Sequence, residues 1–236
     1  MRITDSNWMQ VEKYLKNDDR CILPLGSTEQ HAQLSLSVDS ILAENVAVEA
    51  AKPLGIPVFP TMPFGLAPYH MAYPGTITLR VETLLAVFRD IINSVRSHGF
   101  RRIVIVNGHG GNSPVGALAL ELMTEFPDTT IKFYNWYNAP KTWAKVQSIY
   151  PKSSHASWME NFPITRLDLA PAPEGCKELV DYKKLRASSP EEVRKLVGDG
   201  NFGGPWKMDD GTMAELWRIG VEETREVLEG PWPTRS

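Results

Sequence analysis

Short apolar runs alternate with longer segments of helical spacing over the first 136 residues of the chain. The runs are rich in β-branched and aromatic residues, which predicts buried strands. They are CILPLG (21–26), IPVFPTM (56–62), RIVIVNG (102–108) and TIKFYNW (130–136). The segments predicted as helices are 40–51, 81–99 with Gly99 as its C-cap, and 114–126. This alternation is typical of a mostly parallel sheet covered on both faces, so we expect an α/β fold with three α/β/α layers.

The rest of the chain is less regular. Residues 137–210 carry seven prolines and little periodicity, which predicts loops and short helices laid over the sheet. Helical spacing resumes over 211–230 and stops at Gly230, directly before Pro231. Because the chain has 236 residues and neither an internal repeat nor a Pro/Gly-rich linker, we predict a single domain over residues 1–236.

The charge balance favours a small-molecule partner. The chain has 25 Lys and Arg against 28 Asp and Glu, a formal net charge of -3. Without a basic excess to neutralise phosphates, nucleic acid and anionic membranes are not expected as partners. The first 19 residues lack a continuous apolar stretch, and no run of about 18 apolar residues occurs, so we expect neither a secretion signal nor a membrane span. A cytoplasmic location is predicted.

The two cysteines, Cys21 and Cys176, occur without CxxC spacing or a repeated Cys/His pattern. A disulfide framework and a thiolate zinc site are therefore not predicted. Since free cysteine is among the most frequently buried residue types, we expect both side chains to be buried apolar packing.

Polar residues follow two of the predicted strands directly, in GSTEQH and in NGHGGN. Ligands of parallel α/β sheets bind outside the carboxyl ends of the strands, so these positions carry functional weight. Glu29 and His31 are two residues apart, which turns both side chains to the same side of an extended segment. Asp39 begins the next predicted helix, where it could cap the helix or bind a metal ion, and both interpretations stay open.

Three more histidines deserve an interpretation. His109 lies between glycines at a strand end, and the alternative there is a phosphate-binding loop, although the spacing matches neither GxGxxG nor GxxxxGKS/T. His155 and Glu160 lie in SSHASWMENF, which is a weak signal on its own. His98, in the last turn of a predicted helix, is interpreted as stabilising the helix dipole.

Five residues together form a set of nitrogen and oxygen donors without thiolates: Glu29, His31, Asp39, His109 and Glu160. Such a set suits zinc, manganese or iron rather than a structural Cys-type zinc site. Five donors exceed the needs of one tetrahedral ion and suit two ions about 3.5–4 Å apart, bridged by a carboxylate. We therefore predict two divalent metal ions as cofactors.

At this point the sequence resembles the creatininase family of metal-dependent amidohydrolases. LPLGSTEQH through Asp39 is similar to the family's first metal motif, NGHGGN matches its second, and HASWMEN resembles its third, HAGxxET. HMAYPGTITL (70–79) resembles the family's PGT segment. These motifs span residues 22–161 in the family's order, and the resemblance implies a creatininase-like fold, a hydrolase activity and a hexameric assembly.

The resemblance also implies a role for each candidate residue. It implies two ligand sets that share Asp39 as the bridge: Glu29, Asp39 and His109 for one ion, and His31, Asp39 and Glu160 for the other. His155 stands in the position of the family's catalytic histidine, a donor of a proton to the leaving group. Glu160 is the second residue predicted to be catalytic.

The sequence departs from the family at positions that matter for substrate choice. EQHAQLSLSVD is one residue shorter than the usual EQHGPHLPLGTD and lacks its second histidine and its proline. Ser157 and Asn161 replace the usual Gly and Thr of the third motif. Gly111 stands where creatininase itself carries a glutamate ligand. Creatinine is therefore not the expected substrate.

The altered loop is similar to that of family members that hydrolyse 3-dehydro-scyllo-inosose, a cyclic diketone, by cleaving a ring carbon–carbon bond. We expect a small cyclic carbonyl substrate opened by an activated water, with a cyclic amide, a formamide or a peptide as alternatives. A non-catalytic module that binds a nucleotide or sugar through NGHGGN is a further alternative. The residues expected to line the substrate pocket are Gln33, Ser35, Tyr69, His70, Tyr73 and Trp158.

Overall fold

Three parallel strands form the centre of the protein, in a computed structural model that describes residues 1–168 and 170–233. In spatial order the strands are β1 (Arg20–Leu25), β2 (Arg102–Asn107) and β3 (Thr130–Asn135). The register pairs Leu25 with Asn107 and Asn107 with Asn135. All three strands therefore end at one edge of the sheet, and the loops that follow them lie side by side.

The strand predicted over 56–62 does not form as a continuous strand, so that prediction is wrong. Isolated bridges at Val58 and Met62 hold the segment parallel to β1. Pro57 and Pro60, on either side of the bridge at Val58, have no backbone N–H to donate, which keeps the ladder along this segment from being continuous. The segment remains beside β1 as an irregular edge of the sheet.

Helices cover both faces of the sheet. In chain order they are α1 (Trp8–Leu15), α2 (Val38–Ala51), α3 (Val81–Ser97), α4 (Pro114–Glu125), α5 (Pro140–Ile149), α6 (Tyr182–Arg186), α7 (Pro190–Val197) and α8 (Asp210–Glu229). The four helices predicted from periodicity correspond to α2, α3, α4 and α8. Gly99 follows α3 with a left-handed φ of 108°, as its predicted role in ending the helix requires. Over residues 1–168 and 170–233, no helix combines the length and the apolar character needed to cross a membrane.

Alternate strand residues enter two different cores. Ile22 and Val104 pack with α2 and α8 on one face of the sheet. Leu23 and Ile105 pack with α3 and α4 on the other face. Because side chains alternate along a strand, β1 and β2 are apolar on both sides, and the α/β fold with three layers follows directly.

The cysteines differ from each other. Cys21 is fully buried in the core on the α3 side, as predicted. Cys176 is exposed, so its predicted burial is wrong, because it lies in the two-residue strand β4 (Cys176–Lys177), which pairs with β5 (Gly204–Pro205) away from the main sheet. In the part of the chain that the structure describes, both thiols are free.

Helix α5 is one of the short helices predicted over residues 137–210, although no sequence pattern gave its position. Pro140 is its first residue, a position where the missing N–H has no helical partner to lose. Glu223 of α8 accepts hydrogen bonds from the backbone N–H groups of Lys141 and Thr142, each at 2.8 Å, and from Thr142 Oγ1. A carboxylate at this end satisfies the free N–H groups and the helix dipole, so α5 depends on a residue far along the chain.

Candidate metal centre and substrate cavity

The five predicted metal ligands meet at the carboxyl edge of the sheet. They come from the loop after β1 (Glu29 and His31), from α2 (Asp39), from the loop after β2 (His109) and from the 3₁₀ helix Trp158–Glu160 (Glu160). The first four are at most 4% exposed, and the side chain of Glu160 is 15% exposed. Acids and imidazoles are thus concentrated where little water can reach them.

Asp39 faces the histidines rather than the end of its own helix. Its Oδ1 lies 3.2 Å from His31 Nε2, and its Oδ2 lies 3.1 Å from His109 Nδ1. The N-cap position of α2 belongs to Ser37, whose side chain makes no capping hydrogen bond with the described residues. Of the two interpretations left open by the sequence, the geometry therefore favours ligation, with the carboxylate between two imidazoles.

Backbone carbonyls fix the orientation of both imidazoles. His109 Nε2–H donates to Leu66 O at 2.9 Å, and His31 Nδ1–H donates to Glu29 O at 3.1 Å. The other nitrogen of each ring therefore points to the carboxylates, where its lone pair would bind a metal ion. This arrangement, in which the far nitrogen is held by a hydrogen bond, is the usual way in which proteins prepare a histidine for a metal ion.

Several buried polar atoms converge between these side chains without a hydrogen-bond partner among the described residues. They are Glu29 Oε1, His31 Nε2, Asp39 Oδ2 and His70 Nε2. Leaving a buried polar atom unpaired costs about 1–3 kcal/mol, more when it is charged. Donor atoms that meet in this way, and that include carboxylates, fit a divalent cation.

The donor atoms fall into three overlapping groups whose members lie within 4.8 Å of one another. The groups are Glu29, Asp39 and His109; His31, His155 and Glu160; and Glu29, His70 and His155. The first group is the ligand set that the resemblance implies for one ion. For the other ion, His31 Nε2 lies 3.7 Å from Glu160 Oε2, as well as near Asp39.

The electrostatic field of the site also favours a cation. Burial disfavours a charge on His31, but Asp39, Glu160 and Glu29 outweigh it and raise its pKa to about 10. The pKa of His109 is raised for the same reason, since Glu29 and Asp39 more than offset burial. Burial raises the pKa of Glu160 to about 7, with a further contribution from Asp39. Positive charge is therefore stabilised between the carboxylates.

His155 lies at the wall of the site, between two other imidazoles. Its ring centre is 4.4 Å from that of His31 and 4.6 Å from that of His70. Its Nδ1 lies 3.5 Å from Glu29 Oε1. Burial and the neighbouring His31 hold the pKa of His155 well below its ordinary value, so the ring is neutral at pH 7.

A cavity of about 440 Å³ opens above the site. Its floor includes Glu29, Asp39, His109, His155 and Glu160. Its walls carry five aromatic side chains and three small polar ones: Tyr69, Tyr137, Trp143, Tyr182, Phe202, Asn138, Ser153 and Ser154. Among the described residues that line it, none is Lys or Arg. The cavity walls therefore offer flat apolar surfaces and neutral hydrogen-bonding groups.

Several of these wall residues were missed by the sequence analysis. Tyr137 and Asn138 follow β3 directly, in the same position relative to the sheet as the two recognised motifs, and that position was the available signal. Trp143 is carried by α5, whose first turn is hydrogen-bonded by Glu223. Phe202 comes from a loop without any sequence pattern that would place it near the site.

The predicted substrate-binding residues are only partly brought together. Tyr69 lines the cavity. Tyr73 lies farther out, where its hydroxyl donates to Gly198 O at 3.2 Å. His70 is fully buried behind Tyr69, with its Nε2 3.6 Å from Glu29 Oε1. We therefore correct the placement of His70 and Tyr73, which lie beside the cavity instead of lining it.

Trp158 and Gln33 face away from the site. Trp158 is fully buried in the core on the α2 side, and its indole N–H donates to Lys152 O at 3.3 Å. A one-turn helix that points Glu160 to the cavity turns Trp158 the other way. Gln33 lines a second cavity, next to Arg166, because the chain reverses at Ala32, whose φ is 51°. Neither side chain has the predicted contact with the substrate cavity.

The glycines of NGHGGN serve close backbone packing. A side chain at Gly111 would collide with Leu66 O, and one at Gly108 would collide with Asp39 O. Asn107 holds the turn, since its Oδ1 accepts from the His109 N–H at 3.2 Å. The loop thereby presses the carbonyl of Leu66 and the helix of Asp39 against His109. This packing accounts for the glycines without a phosphate, which weakens the alternative of a phosphate-binding loop.

Comparison with known proteins gives a consistent result. A sequence model of the creatininase family, described as creatinine amidohydrolase, matches residues 4–228. Creatinine amidohydrolase of Pseudomonas putida is 27% identical over 167 residues, 64% of this chain and 63% of that protein. The 3-dehydro-scyllo-inosose hydrolase of Thermotoga maritima is 30% identical over 134 residues, 55% of this chain and 43% of that protein. A mycofactocin precursor peptide peptidase of Mycolicibacterium smegmatis is 35% identical over 109 residues, 43% of this chain and 44% of that protein.

The matched regions thus span less than two thirds of the length of each of these curated relatives. Solved structures match over nearly the whole chain. A creatininase structure has a TM-score of 0.80 and 21% identity, covering 96% of both chains. A Bacteroides fragilis protein assigned as a creatinine amidohydrolase has a TM-score of 0.79 and 27% identity, covering 97% of this chain and 95% of that one.

Two further creatininase structures are described as a Zn-Zn type and as an Mn form. The prediction of divalent metal ions agrees with these descriptions and with the donor groups found in this chain. The predicted hydrolase class and α/β fold are confirmed at the level of the family. On the match over residues 4–228, the chain belongs to the creatininase family.

Proposed function

We propose that this protein is a dinuclear metal-dependent hydrolase that opens a small, uncharged cyclic carbonyl compound. The observation that carries the proposal is the convergence of unpartnered, buried donor atoms of Glu29 and Asp39 at the floor of an aromatic cavity, and of His31 beneath it. The proposed substrate is a cyclic diketone such as 3-dehydro-scyllo-inosose, as in inositol catabolism.

The ligand sets follow from the contacts. Glu29, Asp39 and His109 would hold one ion of zinc, manganese or iron, and His31, Asp39 and Glu160 would hold the other. When bound, two such ions activate a water molecule and polarise a carbonyl oxygen. The protein adds the fixed orientation of the ligands and a buried environment that strengthens each electrostatic interaction.

His155 is the proposed proton donor. In the proposed reaction, the oxygen of water forms a bond to the substrate's carbonyl carbon, and the bond from that carbon to the neighbouring ring atom breaks. His155 receives a proton of the water by way of Glu160 and passes it to the departing carbon or nitrogen, which leaves the imidazole neutral again. Glu160, with its Oε2 held by the Ala156 N–H at 2.6 Å, is the carboxylate placed to accept the water's proton first.

The cavity supports a neutral ring over a charged substrate. Its aromatic walls can pack on both faces of a small ring, and Asn138, Ser153 and Ser154 can bind hydroxyl groups. A phosphate or carboxylate would find no Lys or Arg among the described lining residues. Gly111 also leaves no space for the glutamate ligand that the family resemblance associates with creatininase, which argues against creatinine.

The experiment is a panel assay of the zinc- or manganese-loaded protein against an inosose-type diketone, creatinine, a formamide and a short peptide, with bound metal measured on the same samples. Turnover of the diketone without turnover of creatinine supports the proposal. Turnover of creatinine or of the peptide instead would contradict the proposed substrate and assign the chain to a different activity within the family. A protein that holds less than about one divalent ion per chain contradicts the mechanism.

The His109→Ala variant separates the enzyme from a non-catalytic module. The proposed enzyme loses bound metal and activity together. A module that binds a nucleotide or sugar through NGHGGN would keep its ligand with no metal present. A cytoplasmic location and a hexamer remain predictions, and light scattering of the purified protein measures the assembly.

A further inference from the structure

Ser27 lies two residues before the proposed ligand Glu29, on the segment that follows β1. The side chains of Ser27 and Glu29 point to the same side of this segment and meet there. Thr28, between them, points to the opposite side, where its hydroxyl donates to Pro63 O at 2.9 Å. Ser27 is therefore a polar residue beside the proposed metal centre that is not itself a proposed ligand.

The hydroxyl of Ser27 is committed to the carboxylate. It donates to Glu29 Oε2 at 3.1 Å, and among the described residues this is the one hydrogen bond that the hydroxyl makes. Both residues are fully buried, at 0% exposure, so bulk water does not compete for either group. Because a buried hydroxyl needs a partner, the carboxylate accounts for a serine at this position.

The two oxygens of Glu29 have different surroundings. Oε2 accepts from Ser27, whereas Oε1 faces three imidazoles. Oε1 lies 3.3 Å from His109 Nδ1, 3.5 Å from His155 Nδ1 and 3.6 Å from His70 Nε2. It has no hydrogen-bond partner among the described residues. One oxygen of the carboxylate is thus held by the protein, and the other is left for a ligand.

Packing fixes the backbone that carries the Ser27 hydroxyl. A side chain at Gly26 would collide with Ser40 of α2, so the glycine lets the helix lie directly on this turn. Ser40 Oγ donates to Ser27 O at 3.3 Å, and the backbone N–H of Glu29 donates to Leu36 O at 2.9 Å. Ser27 therefore orients the carboxylate from a fixed position.

We propose that Ser27 is a positioning residue that holds Glu29 so that only Oε1 reaches a metal ion. This inference rests on the proposed function for the presence of the ions. A carboxylate can bind a metal ion through one oxygen or through both. With Oε2 occupied by Ser27, Glu29 supplies one bond. The place that its second oxygen would take stays open for water, as a catalytic metal site requires.

The test compares the wild type with Ser27→Ala and with Thr28→Val as the matched control. Ser27→Ala removes the donor to Glu29. Thr28→Val removes the neighbouring hydroxyl, which bonds Pro63 O on the other side of the same segment. Thermal unfolding of the metal-free proteins establishes that both variants fold before metal is added.

Zinc titration against a competing chelator gives the first measurement. In Ser27→Ala we expect the affinity for one of the two ions to fall by about 10–100-fold, the usual effect of removing an outer partner of a metal ligand. The other ion, proposed for His31, Asp39 and Glu160, does not use Glu29 and should bind as in the wild type. Thr28→Val should bind both ions as the wild type does.

Cobalt(II) supplies the second measurement, since the visible absorption of bound Co²⁺ weakens as its number of ligands rises. Ser27→Ala frees Oε2 to bind as well, so the absorption per ion at saturating cobalt should fall, and it should not fall in Thr28→Val. This change would not follow from a merely loosened fold.

Wild-type zinc affinities and a wild-type cobalt spectrum in Ser27→Ala would overturn the inference. An equal loss of affinity in Thr28→Val would also overturn it, because the loss would then come from the segment and not from the Ser27 hydroxyl. If the wild type binds two ions but turns over no compound of the panel, the proposed function fails, while the metal measurements still decide the role of Ser27.

Discussion

Two cavities lined by described residues differ in how their charges are matched. The larger, about 710 Å³, contains Arg166, which pairs with Asp210 at 2.7 Å, and Lys207, which pairs with Glu174. The smaller, about 440 Å³, has carboxylates and imidazoles whose atoms converge without hydrogen-bond partners among the described residues. Judged by volume, the larger cavity would be the candidate functional site. Judged by unbalanced buried charge, the candidate is the smaller cavity. Charge is the better guide, because burying an unpaired charge is costly unless a ligand compensates it.

The largest expected effect is that of Asp39→Asn. Asp39 is the one carboxylate that faces both His31 and His109, so its neutralisation should reduce bound metal to below about one ion per chain. Activity should fall by about 10³-fold or more, the equivalent of the several kcal/mol that bound metal ions contribute. The measurements are metal analysis and turnover of the best substrate in the panel.

The matched control is Asp210→Asn in the larger cavity. Its partner Arg166 is half-exposed and Asp210 itself is exposed, so the pair should contribute about 0–1 kcal/mol to stability. We expect unchanged metal content and turnover. If Asp210→Asn lost as much bound metal and turnover as Asp39→Asn, the smaller cavity could not be the one that holds the metal ions.

The next largest effect is on stability, in Trp158→Ala. This side chain is fully buried in the core, and truncation of a buried Trp costs about 3–5 kcal/mol. Urea unfolding should show that loss. If Trp158→Ala had nearly normal stability but a strongly raised KM, Trp158 would contact the substrate and not the core.

The sequence predicts the position of a site residue well only when that position is set by neighbouring residues in the chain. Glu29, His31 and His109 were found because each follows a strand end directly, where the fold class itself places a ligand. Trp158 and Gln33 were misplaced because the direction of a side chain in a one-turn helix, or after a reversal at Ala32, is set by packing that no short motif records. The walls of the cavity were missed where they depend on long-range contacts, as Trp143 does through α5 and Glu223.

Removing the metal should make stability depend on pH. The pKa of His31, ordinarily near 6.5, is raised to about 10 in the folded chain by Asp39 and its neighbours, against burial. A raised folded pKa stabilises the protein fully below 6.5, and this stabilisation is lost as pH rises toward 10. The chelated protein should therefore show a falling Tm across this window, and added zinc should oppose the fall. If the Tm of the chelated protein stayed constant from pH 6.5 to 10, the carboxylates would not raise the pKa of His31 as described.

The smallest expected effect is that of Trp143→Ala at the mouth of the cavity. Trp143 is 38% exposed, so a substrate can bury only part of its ring. We expect KM to rise about 3–10-fold with little change in kcat, since up to about 1.4 kcal/mol of apolar contact would be lost. The control is Leu120→Ala, an exposed apolar residue of α4 outside both cavities, which should leave KM as it is. A large fall in kcat for Trp143→Ala would assign this ring to the reaction itself.

The proline-interrupted segment over 56–62 has a consequence for the behaviour of the protein in solution. A regular strand at this edge would offer a row of free N–H and C=O groups to any passing extended chain. Pro60 removes one of those donors, and the outward N–H and C=O of Val58 are already paired with Met1 O at 2.8 Å and with the Ile3 N–H at 2.9 Å. This margin is therefore a poor template for intermolecular β-pairing, which protects the folded chain against aggregation.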